Sequence, residues 1–486
     1  MIFNSIAFAS FFICFLFLYW FVCKKNLQLQ NLLVLAGSYF FYGWWNWRFI
    51  FLLAGCSLLN YYLGIIIPKT ENPKKRKWLV YIGLLQGLGL LVYFKYSNFF
   101  ITSFADAFSF FNVNLHVSTL QLILPLGISF YTFRMISYLL DVDKGKIEPC
   151  KDWVVFFSYV AFFPSLISGP IDKGKLLIPQ LEKKREFNKD QFYDGLRQFL
   201  WGLFKKTVVA DNCAGVANDI FNNYQHLPAS SLVIGAVFYM VQLYADFSGY
   251  SDMAIGIAKL LGFDITKNFN YPFFAQNIAE YWRRWHISLT NWLTEYVFTP
   301  LSISFRDYGK WGLIMAIIIN FVICGIWHGA NWTFVLFGLI HGLYFIPLIL
   351  RGTLFKKVKG ASTSVLPTLK EFVNMLATFG LVVFAEISFR ADSISHAWGF
   401  YKHLFSLSLF SKPVLSNVMT TGTCIAFMFI MLVAEWLQRK KDHALQFAPN
   451  FTPLRFYYVT AIVSFLIWAI LIWSVTGNKS FIYFQF

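Results

Sequence analysis

The stretch WGLIMAIIINFVICGIWH, residues 311–328, decides the fold. No Asp, Glu, Lys or Arg interrupts it. Its length suits a helix crossing a hydrocarbon core of roughly 30 Å, which takes about 20 apolar residues. After the short turn Gly329-Ala330-Asn331, an equally apolar run, WTFVLFGLIHGLYFIPLIL, fills 332–350. Two such runs joined by a tight turn predict a helical hairpin inside a membrane, where each backbone amide must be satisfied within its own helix.

The pattern recurs outward from this hairpin, at 2–22, 31–47, 49–67, 78–95, 120–140, 231–247, 372–389, 418–437 and 457–475. Weaker runs at 152–171 and 207–221 are interrupted by Pro164 and by Asp211, Asn212 and Asn218. The whole chain of 486 residues is 57% hydrophobic, 21% aromatic and only 13% charged. Soluble domains carry roughly 25% charged residues, so a single soluble globular domain is excluded. The net charge of +17, from 41 Lys+Arg against 24 Asp+Glu, would suggest nucleic acid in a soluble chain. In a polytopic one it marks cytoplasmic loops, and no nucleic-acid partner is expected. The fold class is therefore an all-α polytopic membrane protein of about 11–13 membrane segments, re-entrant and interfacial helices included. The chain is expected to form one transmembrane domain, 1–486, without a separate soluble domain. The segments 173–206 and 259–310 look amphipathic and interfacial.

Loop charges set the expected orientation. Lys24 and Lys25, the cluster Lys69 to Lys77, and Lys144, Lys146 and Lys151 follow the first, third and fifth runs. Basic loops stay cytoplasmic, which puts the N-terminus outside. Arg351, Lys356, Lys357 and Lys359, and then Arg439, Lys440 and Lys441, place the turn around His328–Asn331 and Phe486 outside as well. The run 152–171 has bases on both sides and is expected to be re-entrant, with its Phe163-Pro164 and Ser168-Gly169-Pro170 breaks lining protein or a wet cavity. The first run lacks a basic n-region and a small-residue cleavage site and is expected to remain as a helix. The seven cysteines form no CxxC pair, so neither a disulfide framework nor a zinc site fits them. No metal site is expected.

Chemistry is sought among polar residues that apolar runs have no structural reason to hold. His328 closes the deciding helix, with Gly329 leaving room beside it. An imidazole titrating near neutrality can accept and return a proton, as activation of a hydroxyl requires. The alternative is a histidine bonded to a neighbouring helix. In EYWRRWHIS, residues 280–288, Arg283 and Arg284 suit either an interfacial anchor or an anionic donor, with His286 nearby. In YADFSGYSDM, residues 244–253, Asp246, Ser248 and Asp252 suit a cation, a polar break at a cavity or the N-cap of a helix starting near Asp252. No Walker A loop, HExxH or GxSxG is present, which excludes those hydrolase classes.

These strings, in this order, resemble the membrane-bound O-acyltransferase (MBOAT) family. They are FNS at 3–5, PLGISFYTF at 125–133, FFPSLISGP at 162–170, DFSGYSDM at 246–253, WRRWHIS at 282–288, GIWHG at 325–329 and FIYFQF at 481–486. The resemblance is strongest to the bacterial branch of AlgI, PatA and DltB proteins, and within it to the AlgI and PatA type O-acetyltransferases, with the motif core at about 120–350. It implies a helical fold whose outer funnel and inner recess meet at a thin centre. His328 then matches the family's catalytic histidine and His286 its second characteristic one. The implied reaction moves an acetyl group from a cytoplasmic thioester, acetyl-CoA, to a hydroxyl of an exported polysaccharide such as alginate or peptidoglycan. No permanently bound cofactor is implied. Arg283, Arg284 and the basic segment after Pro170 are expected on the donor side; Asn331, Asp246 and Ser248 are candidates for the oxyanion or acceptor side. An extracytoplasmic esterase-like partner, membrane lipid and a bacterial cytoplasmic membrane location complete the expectation. The alternatives are D-alanyl transfer of the DltB type, a transporter of acyl groups or glycan, and a non-catalytic scaffold.

Overall fold

The computed structural model describes residues 1–109, 111–113, 115, 117–356, 365–447, 452–475 and 481–482, and these residues contain helices and no strand. Lys357, Lys359 and residues 483–486 of the terminal string lie outside them. Eight helices are long and apolar enough to cross a membrane among the described residues. The described chain divides into two compact units, residues 1–195 with 257–266, and residues 196–256 with 267–486.

The first unit holds α1 (Ile6–Phe17), α2 (Leu27–Gly43), α3 (Arg48–Lys69), α4 (Pro73–Leu91), α5 (Ser97–Ser109), α6 (Ile128–Asp143), α7 (Trp153–Val160), α8 (Phe163–Leu166) and α9 (Gly174–Glu182). The run expected at 120–140 is helical only from Ile128. Pro125 disfavours helical geometry in the residue before it, and Gly127 stands at φ 72°. A Cβ at Gly127 would also lie 2.6 Å from the Leu166 carbonyl oxygen, so the turn and its packing both require glycine. The interruptions expected in 152–171 are present, on either side of α8. Their irregular backbone is satisfied from within the protein. The fully buried Arg134 donates through Nη1 to the carbonyls of Tyr159 (2.9 Å) and Val160 (3.0 Å), and through Nη2 to Ser165 Oγ (2.8 Å). Non-helical chain at membrane depth persists only where protein supplies such partners. Arg185, one of the bases after Pro170, is likewise internal: it donates to Tyr19 Oη (2.9 Å) and Asn31 Oδ1 (2.8 Å).

Two helices carry the chain between the units, α10 (Lys189–Phe204) and, after the π-helical turn Lys205–Ala210 and α11 (Asp211–Asn222), the long α12 (Ala229–Leu260). The Asp246–Asp252 cluster neither breaks a helix nor caps one: α12 runs through it without interruption. Its carboxylates are tolerated because lysines of the π-turn neutralise them. Lys206 Nζ lies 2.6 Å from Asp246 and 2.9 Å from Asp211, while Lys205 Nζ lies 2.7 Å from Asp252 and donates to Ser248 Oγ at 2.9 Å. Close approach makes this possible, since a Cβ on Gly249 would sit 2.8 Å from the Gly202 carbonyl oxygen.

The rest of the second unit comprises α13 (Ile278–Arg284), α14 (Ile287–Leu293), α15 (Thr299–Ser304), α16 (Gly309–His328), α17 (Trp332–Tyr344), α18 (Ile346–Leu350), α19 (Leu369–Arg390), α20 (Ile394–Leu404), α21 (Val418–Leu437) and α22 (Pro453–Trp473). The predicted hairpin is α16 and α17. Small residues join its arms: a Cβ on Gly325 would stand 2.1 Å from Phe334 O, and one on Gly338 2.3 Å from Phe321 O. Membrane helices pack tightly through such positions because lipid gives no hydrophobic drive for their association. α19 packs against α17, and with it completes the wall around His328.

Candidate active site

His328 is the last residue of α16 and is 4% exposed. Its ring faces Phe389 of α19 at 5.1 Å, Phe337 of α17 at 6.0 Å and its neighbour Trp327 at 4.9 Å between centroids. The space expected beside Gly329 is taken by the Phe334 ring, which a Cβ there would meet at 2.1 Å.

The fold brings His286 to His328. Their ring centroids are 6.5 Å apart, an approach that sequence position does not reveal. His286 is fully buried, enclosed by Phe247 at 4.6 Å and Trp327 at 5.6 Å. It joins α13 to α14 in a left-handed conformation, φ 44°, ψ 52°. Non-glycine residues enter that region at an energetic cost and stay there only when their surroundings over-determine them.

Asn268 supplies that constraint. Its Oδ1 accepts from the Ser288 backbone N–H (3.2 Å) and from Ser288 Oγ (3.0 Å), and its carbonyl accepts from the Ile287 N–H (2.9 Å). The same Oδ1 lies 3.1 Å from His286 Nδ1. Burial pushes the His286 imidazole down to about 3, so the ring is neutral near pH 7. An oxygen already accepting two hydrogen bonds is an acceptor for the imidazole too. Nδ1 thus carries the proton and donates, and Nε2 carries the lone pair. A third histidine, His341, has the opposite arrangement, its Nδ1 accepting from Trp282 Nε1 at 3.2 Å.

The other expected site residues divide. Arg284 is half-buried and pairs with Glu280 at 2.6 Å, whose second oxygen accepts from the Gln276 N–H at 2.8 Å. Arg283 is exposed and has no ion-pair partner among the described residues. Asn331 caps α17: its Oδ1 accepts from the Thr333 N–H (3.0 Å) and its Nδ2 donates to the Asp392 carbonyl (2.9 Å). One of its two amide N–H donors is thus engaged, and its oxygen is used by the cap. Asp246 is held by Lys206 and by the Ile482 N–H (2.7 Å), and Ser248 by Lys205, so both belong to the charge cluster on α12.

One residue at the site escaped sequence reading. Glu386 sits inside the apolar run 372–389, on the same face of α19 as Phe389, and is 2% exposed. Its Oε2 is buried without a hydrogen-bond partner among the described residues. An ionisable side chain within a membrane helix was the available signal.

A profile of the membrane-bound O-acyltransferase family, MBOAT, matches residues 152–384. The chain is 36% identical to the "Probable alginate O-acetylase AlgI" of Pseudomonas aeruginosa, over 87% of this chain and 78% of that one. It is 34% identical to the peptidoglycan O-acetyltransferase of Helicobacter pylori, over 84% and 80%. Similarity to the teichoic acid D-alanyltransferase of Bacillus subtilis is 29% and covers 46% of this chain and 58% of that one.

Proposed function

The chain belongs to the membrane-bound O-acyltransferase family, in its AlgI and PatA branch, and from this premise we propose that it acetylates a hydroxyl of an exported polysaccharide with His328 as general base. The observation that carries the reading is the meeting of two buried histidines, 6.5 Å apart, at the end of the α16–α17 hairpin. The names of the relatives support a glycan acceptor, since alginate and peptidoglycan both present sugar hydroxyls. The fuller coverage of the acetyl-transferring relatives favours acetyl over D-alanyl.

In the proposed reaction an acyl thioester, acetyl-CoA, enters from the cytoplasmic side and the acceptor hydroxyl from the other. The His328 imidazole takes the hydroxyl proton as the oxygen attacks the thioester carbonyl carbon. The tetrahedral intermediate collapses with cleavage of the C–S bond, and the imidazolium returns the proton to the departing thiolate, giving an ester and a free thiol. His286, neutral and fixed by Asn268, orders the site with its Nε2 lone pair; it is not a cation for the donor. Arg283 is the guanidinium without an ion-pair partner and is the better placed of the two arginines to meet a phosphate-bearing donor. The bacterial relatives support a cytoplasmic membrane location, and the loop charges an orientation with both termini outside. An extracytoplasmic esterase-like partner would pass the acetyl group on from this first ester to the final sugar.

Purified protein with acetyl-labelled acetyl-CoA and an alginate oligosaccharide tests the reading: a covalent acetyl ester is expected, whereas label that crosses the bilayer without product would mean carriage. His328→Ala should remove transfer by about 10³-fold or more and leave a monodisperse protein. Transfer near the parent rate would overturn the role given to His328.

A further inference from the structure

The proposed reaction leaves one requirement unmet. Attack on a thioester places negative charge on the carbonyl oxygen, and donors aimed at that oxygen are usually the largest single contribution to acyl-transfer catalysis. The Asn331 amide is already committed to the cap of α17 and to the Asp392 carbonyl, which leaves it a single N–H. The geometry points to Glu386: we propose that it is a catalytic residue, donating as a carboxylic acid to the acyl oxygen while His328 activates the acceptor. The inference rests on the reading of His328 as the base.

Glu386 lies where such a donor is needed. Phe389, three residues on along α19, packs its ring on His328 at 5.1 Å. Cys324, four residues back along α16 from His328, is an electrostatic neighbour of Glu386. Residue 386 therefore lies about one helical turn, roughly 5 Å along the axis of α19, from the residue that contacts His328. A hydroxyl bonded to the imidazole at roughly 3 Å, attacking a carbonyl about 3–3.5 Å away, puts the developing oxyanion at that same range from the ring.

The carboxyl is also chemically unoccupied. Every other buried carboxylate of this unit described above has a lysine or several hydrogen bonds. Glu386 has no ion pair among the described residues, and its Oε2 bonds nothing. Tyr239 of α12, an electrostatic neighbour of Glu386, is 1% exposed, and its hydroxyl is likewise buried without a hydrogen-bond partner. Buried polar atoms are paired in the great majority of cases, and here two without a partner belong to neighbouring side chains, one of them an acid one helical turn from the ring that packs on His328. A tyrosine hydroxyl together with a carboxylic acid is a known form of oxyanion hole.

Conservative variants separate this role from others, measured with acetyl-CoA and an alginate oligosaccharide. Glu386→Gln keeps a donor of the same shape and is expected to hold kcat within about 10-fold, while Glu386→Leu and Glu386→Met should lower kcat about 10²- to 10³-fold with KM for acetyl-CoA little changed. Gel filtration and thermal unfolding in detergent check that each variant is folded, and Met gives a second apolar replacement if Leu does not accumulate. A folded Glu386→Gln as inactive as Glu386→Leu would overturn the proposal, since the group would then act as a base or proton donor. Apolar variants with near-parent kcat, or a loss confined to KM, would overturn it too. His328→Ala run alongside tells the two failures apart: if that variant is active, the base reading falls and the inference with it; if only the Glu386 variants are active, the base reading stands alone.

Discussion

Two groups of buried charge lie in the second unit, and they are built in opposite ways. Around α12, each carboxylate has partners: Asp246 and Asp211 share Lys206, Asp252 meets Lys205 and the Gln198 amide, and Glu435 accepts from the Tyr244 hydroxyl at 2.8 Å. Around α16 and α19, Glu386 Oε2 has no hydrogen-bond partner among the described residues, nor has the hydroxyl of its neighbour Tyr239, and the histidines are walled by aromatic rings. Both arrangements sit in apolar surroundings where an unpaired charge costs several kcal/mol. The first group is complete as it stands and has the character of structure. The second is complete only with something bound, which is the character of a site.

The comparison breaks first at Lys206. Lys206→Met should leave Asp246 and Asp211 buried without their cation, lowering stability by about 3–5 kcal/mol, read as a fall in the unfolding midpoint or in folded protein recovered. Pairing it with Asp246→Leu should recover part of that loss, because one carboxylate then leaves with its cation while Asp211 still lacks Lys206. The folded double variant should retain its kcat. A collapse of kcat in that variant, with the fold intact, would return Asp246 to the acceptor side of the reaction and erase the distinction drawn here.

The histidine side can be sharpened by pH. In the folded protein His286 stays neutral down to about 3, while in the unfolded chain it takes a proton near the ordinary value of 6.5. The unfolded state therefore binds the extra proton in that window, and stability falls as the pH drops from about 6.5 toward about 3. His286→Gln should flatten this part of the stability profile, seen by comparing unfolding midpoints at about pH 7 and about pH 5. An undiminished slope would mean that the ring is charged or exposed in the folded state.

Much of this architecture was legible in the sequence, and the exceptions have physical reasons. The runs at 311–327 and 418–437 became α16 and α21 within two residues of their expected ends, because uninterrupted apolar chain has one outcome in a bilayer. The helix expected to begin at 120 begins at Ile128, since Pro125 and the left-handed Gly127 outweigh local hydrophobicity. Asp246–Asp252 resembled a cap because Ser and Asp favour caps locally, while the lysines that neutralise them come from another helix. Glu386 disappeared into the average of the apolar residues around it. His286 and His328 carried their identity in their motifs, but the 6.5 Å between their rings is a property of the assembled helices alone.

The smallest expected effect carries the same contrast to the protein's polar edge. Arg284 is held by Glu280 at 2.6 Å, whereas its neighbour Arg283 is exposed and has no ion-pair partner among the described residues. If a group without an internal partner marks a ligand here, as proposed for Glu386, the two adjacent arginines should separate. Arg283→Gln is expected to raise KM for acetyl-CoA by about 5-fold with kcat unchanged, the size of one solvent-exposed ion pair, roughly 1 kcal/mol. The difference from the parent should fade at high salt, because exposed charges are screened there. Arg284→Gln removes an internal partner of Glu280, so its effect belongs in the unfolding midpoint and much less in donor KM. Equal KM changes in both variants, or none in either at low salt, would make the pair an interfacial anchor and confine the rule of unpaired charge to the buried interior.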